Sequence, residues 1–126
     1  MKKELAAAIL LGLILIGCII NSLAVTLLAE ELTGLVEDAG EDAISGLWED
    51  AGQDIDDAFA LLSRRGIYIG VFLPADDMDR IADSLDNLRE QIHSRNAAGT
   101  ESAVHLALTR LESIASRERV RIGSIF

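Results

Sequence analysis

An apolar run of 25 residues, Leu5 to Ala29, constrains this chain more than any other feature. As an α-helix the run would be about 37 Å long, which exceeds the ~30 Å hydrocarbon core of a bilayer. The Cys18 thiol is the only side chain between Leu5 and Ile20 that is not a hydrocarbon. Residues 1–29 are therefore predicted to be a transmembrane anchor that contacts the bilayer through residues 5–29. Residues 30–126 are the domain that this anchor carries.

A second interpretation makes the same run a processed signal sequence. Leu15-Ile16-Gly17-Cys18 resembles the bacterial lipobox, in which a small residue precedes a cysteine that is lipidated before cleavage. Ile16 is bulky for the middle of that motif, and the chain beyond Cys18 stays apolar. Lipidation of Cys18 is thus the alternative to a retained helix, and both interpretations attach the protein to a membrane.

The charges that flank the run predict the orientation of the protein. Lys2 and Lys3 are the only lysines and precede the run, whereas acidic residues without a base occupy Glu30 to Asp57. Basic flanks are retained in the cytoplasm, so we expect a single-pass protein of the cell membrane with a cytoplasmic amino terminus and an extracytoplasmic domain. That domain carries 20 acidic residues against nine arginines, which argues against nucleic acid as a partner.

Helical spacing of apolar residues predicts an all-α fold for residues 30–126. Three stretches carry apolar residues at alternating steps of three and four, which indicates amphipathic helices with matching seams. We expect them to form a small antiparallel bundle of about three helices, joined to the anchor by a hinge at the helix-weakening Gly34 and Gly40. The stretches are Ile44, Trp48, Ala51, Ile55, Ala58 and Leu62; Met78, Ile81, Leu85, Leu88 and Ile92; and Val104, Leu108, Leu111 and Ala115.

Four further expectations concern the rest of the domain. The apolar stretch 67–73 is either a helical continuation or an extended segment on the bundle, because no second strand exists to pair with it. Residues 96–100 are expected to form a turn, with Gly99 as the left-handed stop and Thr100 as the next cap. The acidic residues on the helix that follows Glu41 are expected to face solvent. The arginines of the last helix are expected to pair with that acidic helix; they are Arg110, Arg117, Arg119 and Arg121.

Packing motifs in this order resemble a known family. Trp48-Glu49-Asp50-Ala51 gives a Trp-x-x-Ala on an acidic helix, Phe72-Leu73 precedes the acidic start Asp76-Asp77-Met78-Asp79, and the chain ends with Ile125-Phe126. Over nearly its whole length the chain is similar to the bacterial membrane-anchored family catalogued as domain of unknown function 4363. The resemblance implies an exported all-helical domain with no known activity and, as a partner, a multi-pass membrane protein. Pro74-Ala75 stands where that family often has Asp-His.

Few residues suggest chemistry. His93 and His105 flank the predicted turn and would face each other in a hairpin centred near residue 99, so they are the candidate metal ligands, with Glu90 or Glu101 as a third. The acidic start from Asp76 lacks the glycine and terminal glutamate of a calcium loop and is explained by helix-start chemistry. No nucleophile and base stand at a suggestive spacing, so no catalytic residue and no cofactor is predicted.

The sequence therefore favours a non-enzymatic, membrane-anchored module of the cell envelope that binds another membrane or envelope protein. Its candidate interaction or core residues are Trp48, Phe72, Ile125 and Phe126. Self-association through the helix seams is a structural variant of this interpretation. The alternative is an extracytoplasmic sensor or enzyme domain that binds a ligand or metal through His93, His105 and the acidic helix start.

Overall fold

The computed structural model describes residues 1–69 and 75–125, without the side chains of residues 66–69, 75, 121, 122 and 125. These residues form four helices and no strand, so the predicted all-α class is confirmed. The helices are α1 (Lys2–Ile44), α2 (Trp48–Ile69), α3 (Ala75–His93) and α4 (Ala97–Ile125). The first residues of the 67–73 stretch thus continue α2 as helix, and the remainder lies outside the described residues.

The bundle has four members, because the second half of α1 belongs to it. α1 packs against α2 and α4, and α3 completes the ring by packing against the same two helices. Short turns join α1 to α2 and α3 to α4, so the two helices of each of these pairs are antiparallel. Leu28 and Leu32 of α1 are buried in this bundle, although Leu28 lies inside the predicted anchor.

α1 is one uninterrupted helix of 43 residues, so the predicted hinge at Gly34 and Gly40 is wrong. The two glycines occupy different surroundings. A Cβ at Gly34 would meet nothing within 4 Å, whereas a Cβ at Gly40 would lie 3.2 Å from Cγ2 of Val104. Gly40 therefore allows α1 and α4 to approach closely, and packing against neighbouring helices supports the helix from Ser22 onward.

Burial along α1 begins at Ser22, inside the predicted anchor and ahead of its boundary at residue 29. Residues 2–21 precede this point and rise about 30 Å as a helix, the thickness of one hydrocarbon core. Their large apolar side chains are exposed; Leu10 and Ile14, for example, are 60% and 54% exposed. α1 is thus long and apolar enough to cross a membrane before it enters the bundle.

A buried polar contact joins α1 to α4 where the bundle begins. The Ser22 hydroxyl donates a hydrogen bond of 2.7 Å to Oε2 of Glu118, and both residues are buried. A buried carboxylate is unfavourable unless polar groups surround it, so this contact specifies the register of α4 against α1. The sequence gives no sign of this contact, because Ser22 and Glu118 are 96 residues apart.

Core residues of α2 and α3 follow the predicted seams, except that Ile44, predicted as the first residue of its seam, is exposed. In α4 the predicted Leu111 and Ala115 are buried, but the first part of the buried face differs from the prediction. Ala51, Ile55 and Ala58 of α2 are fully buried. In α4 the buried face begins with Ala103 and Ala107, and the predicted Val104 and Leu108 are only partly buried beside it. Small side chains occupy the centre of this face because α1 lies close to α4. α3 buries its predicted residues Ile81, Leu85, Leu88 and Ile92.

Candidate functional site

The α1–α2 turn ends α1 with a hydrogen-bonded glycine stop. Gly46 has φ +80°, which glycine adopts without strain. Its amide donates to the Ala43 carbonyl (3.1 Å), and the Leu47 amide donates to the Asp42 carbonyl (2.8 Å). This is the Schellman arrangement of a helix end. The helix predicted to run from Glu41 through Trp48 is therefore interrupted at residues 45–47.

The α3–α4 turn uses the same motif with an arginine in the left-handed position. Arg95 has φ 53°, its amide donates to the Ile92 carbonyl (3.0 Å), and the Asn96 amide donates to the Gln91 carbonyl (3.0 Å). Oδ1 of Asn96 then accepts from the Gly99 amide at 3.0 Å and caps α4. The turn prediction was thus wrong in detail: the stop is Arg95 rather than Gly99, and the cap is Asn96 rather than Thr100.

Apolar side chains are exposed at the first of these two turns. Ile44 is 80% exposed and Leu47 49%, although both lie in the folded bundle and far from the apolar start of α1. Trp48 follows them and is half-buried, packing one side against the core. We call these three residues the distal tip, because they lie at the end of the bundle opposite Ser22.

A shallow groove of about 340 Å³ lies beside the distal tip, between the start of α2 and the end of α3. Trp48 lines one side, and Gly52 leaves the space beside it open. Glu49 and Asp56 supply carboxylates, while His93 and Arg95 stand on the opposite side. The groove is open to solvent rather than enclosed.

Four carboxylates meet between α1 and α2 just below the distal tip. Burial, followed by the hydrogen bond and charge of Asp42 and by the charges of Asp38 and Asp57, raises the pKa of Asp54 from 3.8 to about 7. Oδ2 of Asp54 is buried and finds no donor among the described residues. The proton that Asp54 itself carries can therefore bridge to Asp42. The expectation that the acidic residues of this helix face solvent was wrong for Asp54, which is half-buried.

Charge is distributed unevenly along the bundle. Three contacts show which residues lie at the same level along the bundle axis. They join Ser22 to Glu118, Arg65 to Glu31 and Asp56 to Arg89. The distal half, residues 34–62 and 84–108, contains 12 acidic residues and two arginines. The proximal half, which adjoins the apolar segment, contains eight acidic residues and seven arginines. The formal charge is thus about −10 in the distal half and −1 in the proximal half.

The two candidate metal ligands are exposed and line different grooves. His93 lines the groove at the distal tip, whereas His105 lies with Glu101 and Leu108 on a surface of α4. The turn between them is centred at residues 94–96 rather than near residue 99, so His93 and His105 are not opposite each other in the hairpin. Among the described residues no group of three potential ligands surrounds a common point.

The acidic start of α3 has a structural contact. Asp76 and Asp77 lie in its first turn. Asp77 is buried, and its Oδ1 accepts a hydrogen bond of 2.8 Å from Arg117 of α4. Arg110 donates to the Arg80 carbonyl at 3.0 Å, also on α3. The arginines of α4 were expected to contact the acidic helix after Glu41; those two contact α3 instead, because α4 packs against α1 and α3.

The remaining predicted residues fall into two groups. Cys18 is exposed on the apolar segment of α1, four residues before the first buried position, so its lipidation stays a prediction. Phe72 and Phe126 lie outside the described residues. Ile125 ends α4, but its side chain also lies outside them. Of the predicted interaction residues, Trp48 alone can be placed, and the groove beside it was missed because it forms only when α2 meets the α3–α4 turn.

Comparisons with known proteins identified no relative of this chain. No family model matches the chain, and neither the curated proteins nor the solved structures contain a significant match.

Proposed function

We propose that this protein is a non-enzymatic, membrane-anchored helical module that binds another protein of the cell envelope. The observation that carries the proposal is the continuity of α1, which joins an apolar segment about one bilayer thick to the core of a four-helix bundle. A continuous helix of this kind would hold the bundle at a defined distance from the membrane surface. The distal tip is then the part of the bundle presented to a partner.

The charge distribution supports an extracytoplasmic bundle whose acidic half points away from the membrane. Anionic lipid headgroups repel acidic protein surfaces within about a Debye length. The nearly neutral proximal half can lie beside such headgroups, whereas the distal half, with 12 acidic residues, lies farther away. Lys2 and Lys3 at the other end of the apolar segment favour a cytoplasmic amino terminus. The resemblance to a family of membrane-anchored proteins agrees with this arrangement.

Lipidation of Cys18 would change the anchor but not the location of the bundle. A chain that began at Cys18 would keep Ser22 and every later buried residue of α1. The membrane surface would adjoin the same end of the bundle. The intact mass of the purified protein distinguishes the two anchors, since a retained Met1 indicates a transmembrane helix and a mass corresponding to lipidated Cys18 indicates the alternative.

Orientation can be tested in intact cells because Cys18 is the only cysteine. A Cys18→Ser chain carrying Leu47→Cys should react with a membrane-impermeant maleimide without lysis, and a matched Cys18→Ser chain carrying Lys3→Cys should react only after lysis. The reverse pattern would contradict an extracytoplasmic bundle. The binding activity itself is tested by photo-crosslinking in native membranes from positions on the bundle surface. Failure to capture any protein from any of these positions would refute the proposed function.

A further inference from the structure

Exposed large apolar side chains are rare on the described part of the bundle. Beyond residue 21 they are Leu23 and Leu27, which adjoin the apolar segment of α1, and Ile44, Leu47, Leu106 and Val120 farther along the chain. Ile44 and Leu47 lie together in one turn, where Trp48 extends the apolar surface, whereas Leu106 and Val120 lie separately on α4. Three apolar residues so near each other at one turn of an acidic region call for a physical explanation, because isolated exposed residues are common but groups of them mark interaction sites.

The helix stop at Gly46 does not account for the exposure. In a Schellman motif the residue after the glycine usually makes a hydrophobic contact with the residue whose carbonyl it bonds. Leu47 is that residue here, but its backbone partner is Asp42. The motif would form equally well with a polar side chain at position 47. Leu47 is thus not held by local structure and remains 49% exposed.

The charges around the distal tip select the chemistry of a partner. Glu41 and Asp42 precede the tip, Glu49 and Asp50 follow it, and the whole distal half carries 12 acidic residues against two arginines. A basic surface would be attracted to this field, and a second copy of the same half would be repelled. The groove beside Trp48 also contains the carboxylate of Glu49, which a lysine or arginine next to an apolar anchor could contact.

We propose that the distal tip, Ile44, Leu47 and Trp48, is the docking site for a cationic amphipathic segment of the partner protein, an inference that rests on the proposed function. Apolar residues of that segment contact Ile44, Leu47 and the exposed side of Trp48. Its lysines or arginines face the surrounding carboxylates. Charged groups steer the encounter, and the apolar contact supplies the selectivity for an amphipathic segment over a merely basic one.

Trp48 gives the experiment a local reporter, because it is the only tryptophan in the chain. The full chain is reconstituted in phosphatidylcholine vesicles, and its fluorescence is titrated with three tryptophan-free helical peptides. One carries lysines with leucines at helical spacing, the second replaces these leucines by serines, and the third replaces the lysines by glutamates. We expect only the Lys/Leu peptide to shift the Trp48 emission saturably, and added salt to weaken its binding.

Two variants separate the tip from the rest of the surface. Ile44→Ser combined with Leu47→Ser should weaken the Lys/Leu peptide about tenfold or more. Leu106→Ser, an exposed apolar site on α4, should leave the affinity unchanged. Circular dichroism of both variants checks that the bundle is intact. Equal affinity of the tip variant and the unaltered chain, or equal binding of the Lys/Ser peptide, would overturn the inference.

Crosslinking distinguishes failure of this inference from failure of the proposed function. A photoreactive residue is placed at position 47, at position 106, or at other exposed sites of the bundle in native membranes. Capture of one defined protein from position 106 but not from position 47 would refute the tip and leave the proposed function standing. The inference expects capture of a protein from position 47, and it expects Ile44→Ser to abolish this capture. These results support the inference together with a successful peptide titration.

Discussion

Replacing Asp54 with asparagine should stabilise this protein by an amount that grows as the pH rises above 3.8 and is complete at about pH 7. The Asp54 carboxyl lies half-buried between α1 and α2, where burial and the nearby Asp42, Asp38 and Asp57 raise its pKa from 3.8 to about 7. Asparagine has nearly the same shape and carries no charge. Its side-chain amide can donate to Asp42, as the protonated carboxyl does.

The sign of the pH dependence follows from linkage. Below pH 3.8 the Asp54 carboxyl is protonated in both the folded and the unfolded state, so it causes no pH-dependent loss of stability. Between pH 3.8 and about 7 the unfolded chain releases this proton while the folded protein keeps it, and the free energy of unfolding falls as pH rises. Above pH 7 both states are ionised, and the full penalty persists.

The magnitude follows from the size of the pKa difference. A difference of about three units corresponds to roughly 4 kcal/mol at 1.36 kcal/mol per unit. Because Asp54 is only half-buried, solvent screening reduces this, and we expect Asp54→Asn to raise the free energy of unfolding by about 2 kcal/mol at pH 8. At pH 4 the difference between the variant and the unaltered chain should be close to zero.

Chemical unfolding of the full chain in zwitterionic micelles, followed by far-ultraviolet circular dichroism, measures this difference at pH 4 and pH 8. Asp86→Asn is the matched control, since it removes an exposed carboxylate from α3 and should change stability by less than about 0.5 kcal/mol. An equal gain from Asp54→Asn at both pH values, or a gain at pH 8 no larger than that of the control, would refute the role assigned to the carboxylate cluster.

Two further predictions concern the packing of α1. Gly34→Ala should raise the free energy of unfolding by about 0.5–1 kcal/mol, because alanine favours a helix and its Cβ meets open space. Gly40→Ala should lower the free energy of unfolding, because its Cβ would lie 3.2 Å from Val104, whose branched side chain has little freedom to move. Equal melting temperatures of the two variants would contradict the close approach of α1 and α4. Ser22→Ala should destabilise the bundle by about 1–3 kcal/mol through loss of the buried hydrogen bond to Glu118, and calorimetry would count against this contact if the exposed Ser102→Ala had the same effect.

Periodicity in the sequence identified the seams of α2 and α3, because their buried faces alternate with polar faces. Ile81, Leu85 and Leu88 are buried as predicted. The same method was insensitive in α1, since a segment that is apolar all round shows no face. Ser22 marks the point where the apolar segment of α1 ends and the bundle begins. Only its contact with Glu118 reveals that role.

The ends of helices were harder to predict than their faces. Ile44 and Trp48 are four residues apart, so the heptad spacing continued across a turn in which the helix actually stops. Gly46 was the available signal, as a glycine after an apolar stretch often ends a helix. No comparable signal existed for Arg95, because a left-handed arginine is held by the surrounding chain rather than favoured by its own side chain.

The candidate site also depends on relations that no single stretch of sequence contains. The acidic residues from Asp38 to Asp57 were visible as a charge run, but the raised pKa of Asp54 arises only when α1 and α2 align Asp54 with Asp42. Trp48 was identified as an interaction or core residue, and its packing shows that it is partly core. Its groove needs Arg95 and His93, which are more than 40 residues away in sequence.

A rigid α1 also restricts which partner the proposed docking site could bind. From Ser22 to Ile44 the helix rises about 33 Å, so with α1 along the membrane normal the distal tip would lie up to that far above the membrane surface. This height is several Debye lengths at physiological salt, so the charges of the lipid headgroups would not affect the electrostatic attraction between the acidic tip and a cationic partner. A small cationic loop lying on the lipid headgroups could not reach it. The proposed partner must therefore carry its cationic amphipathic segment on a domain that extends about as far from the membrane, or approach as a soluble protein.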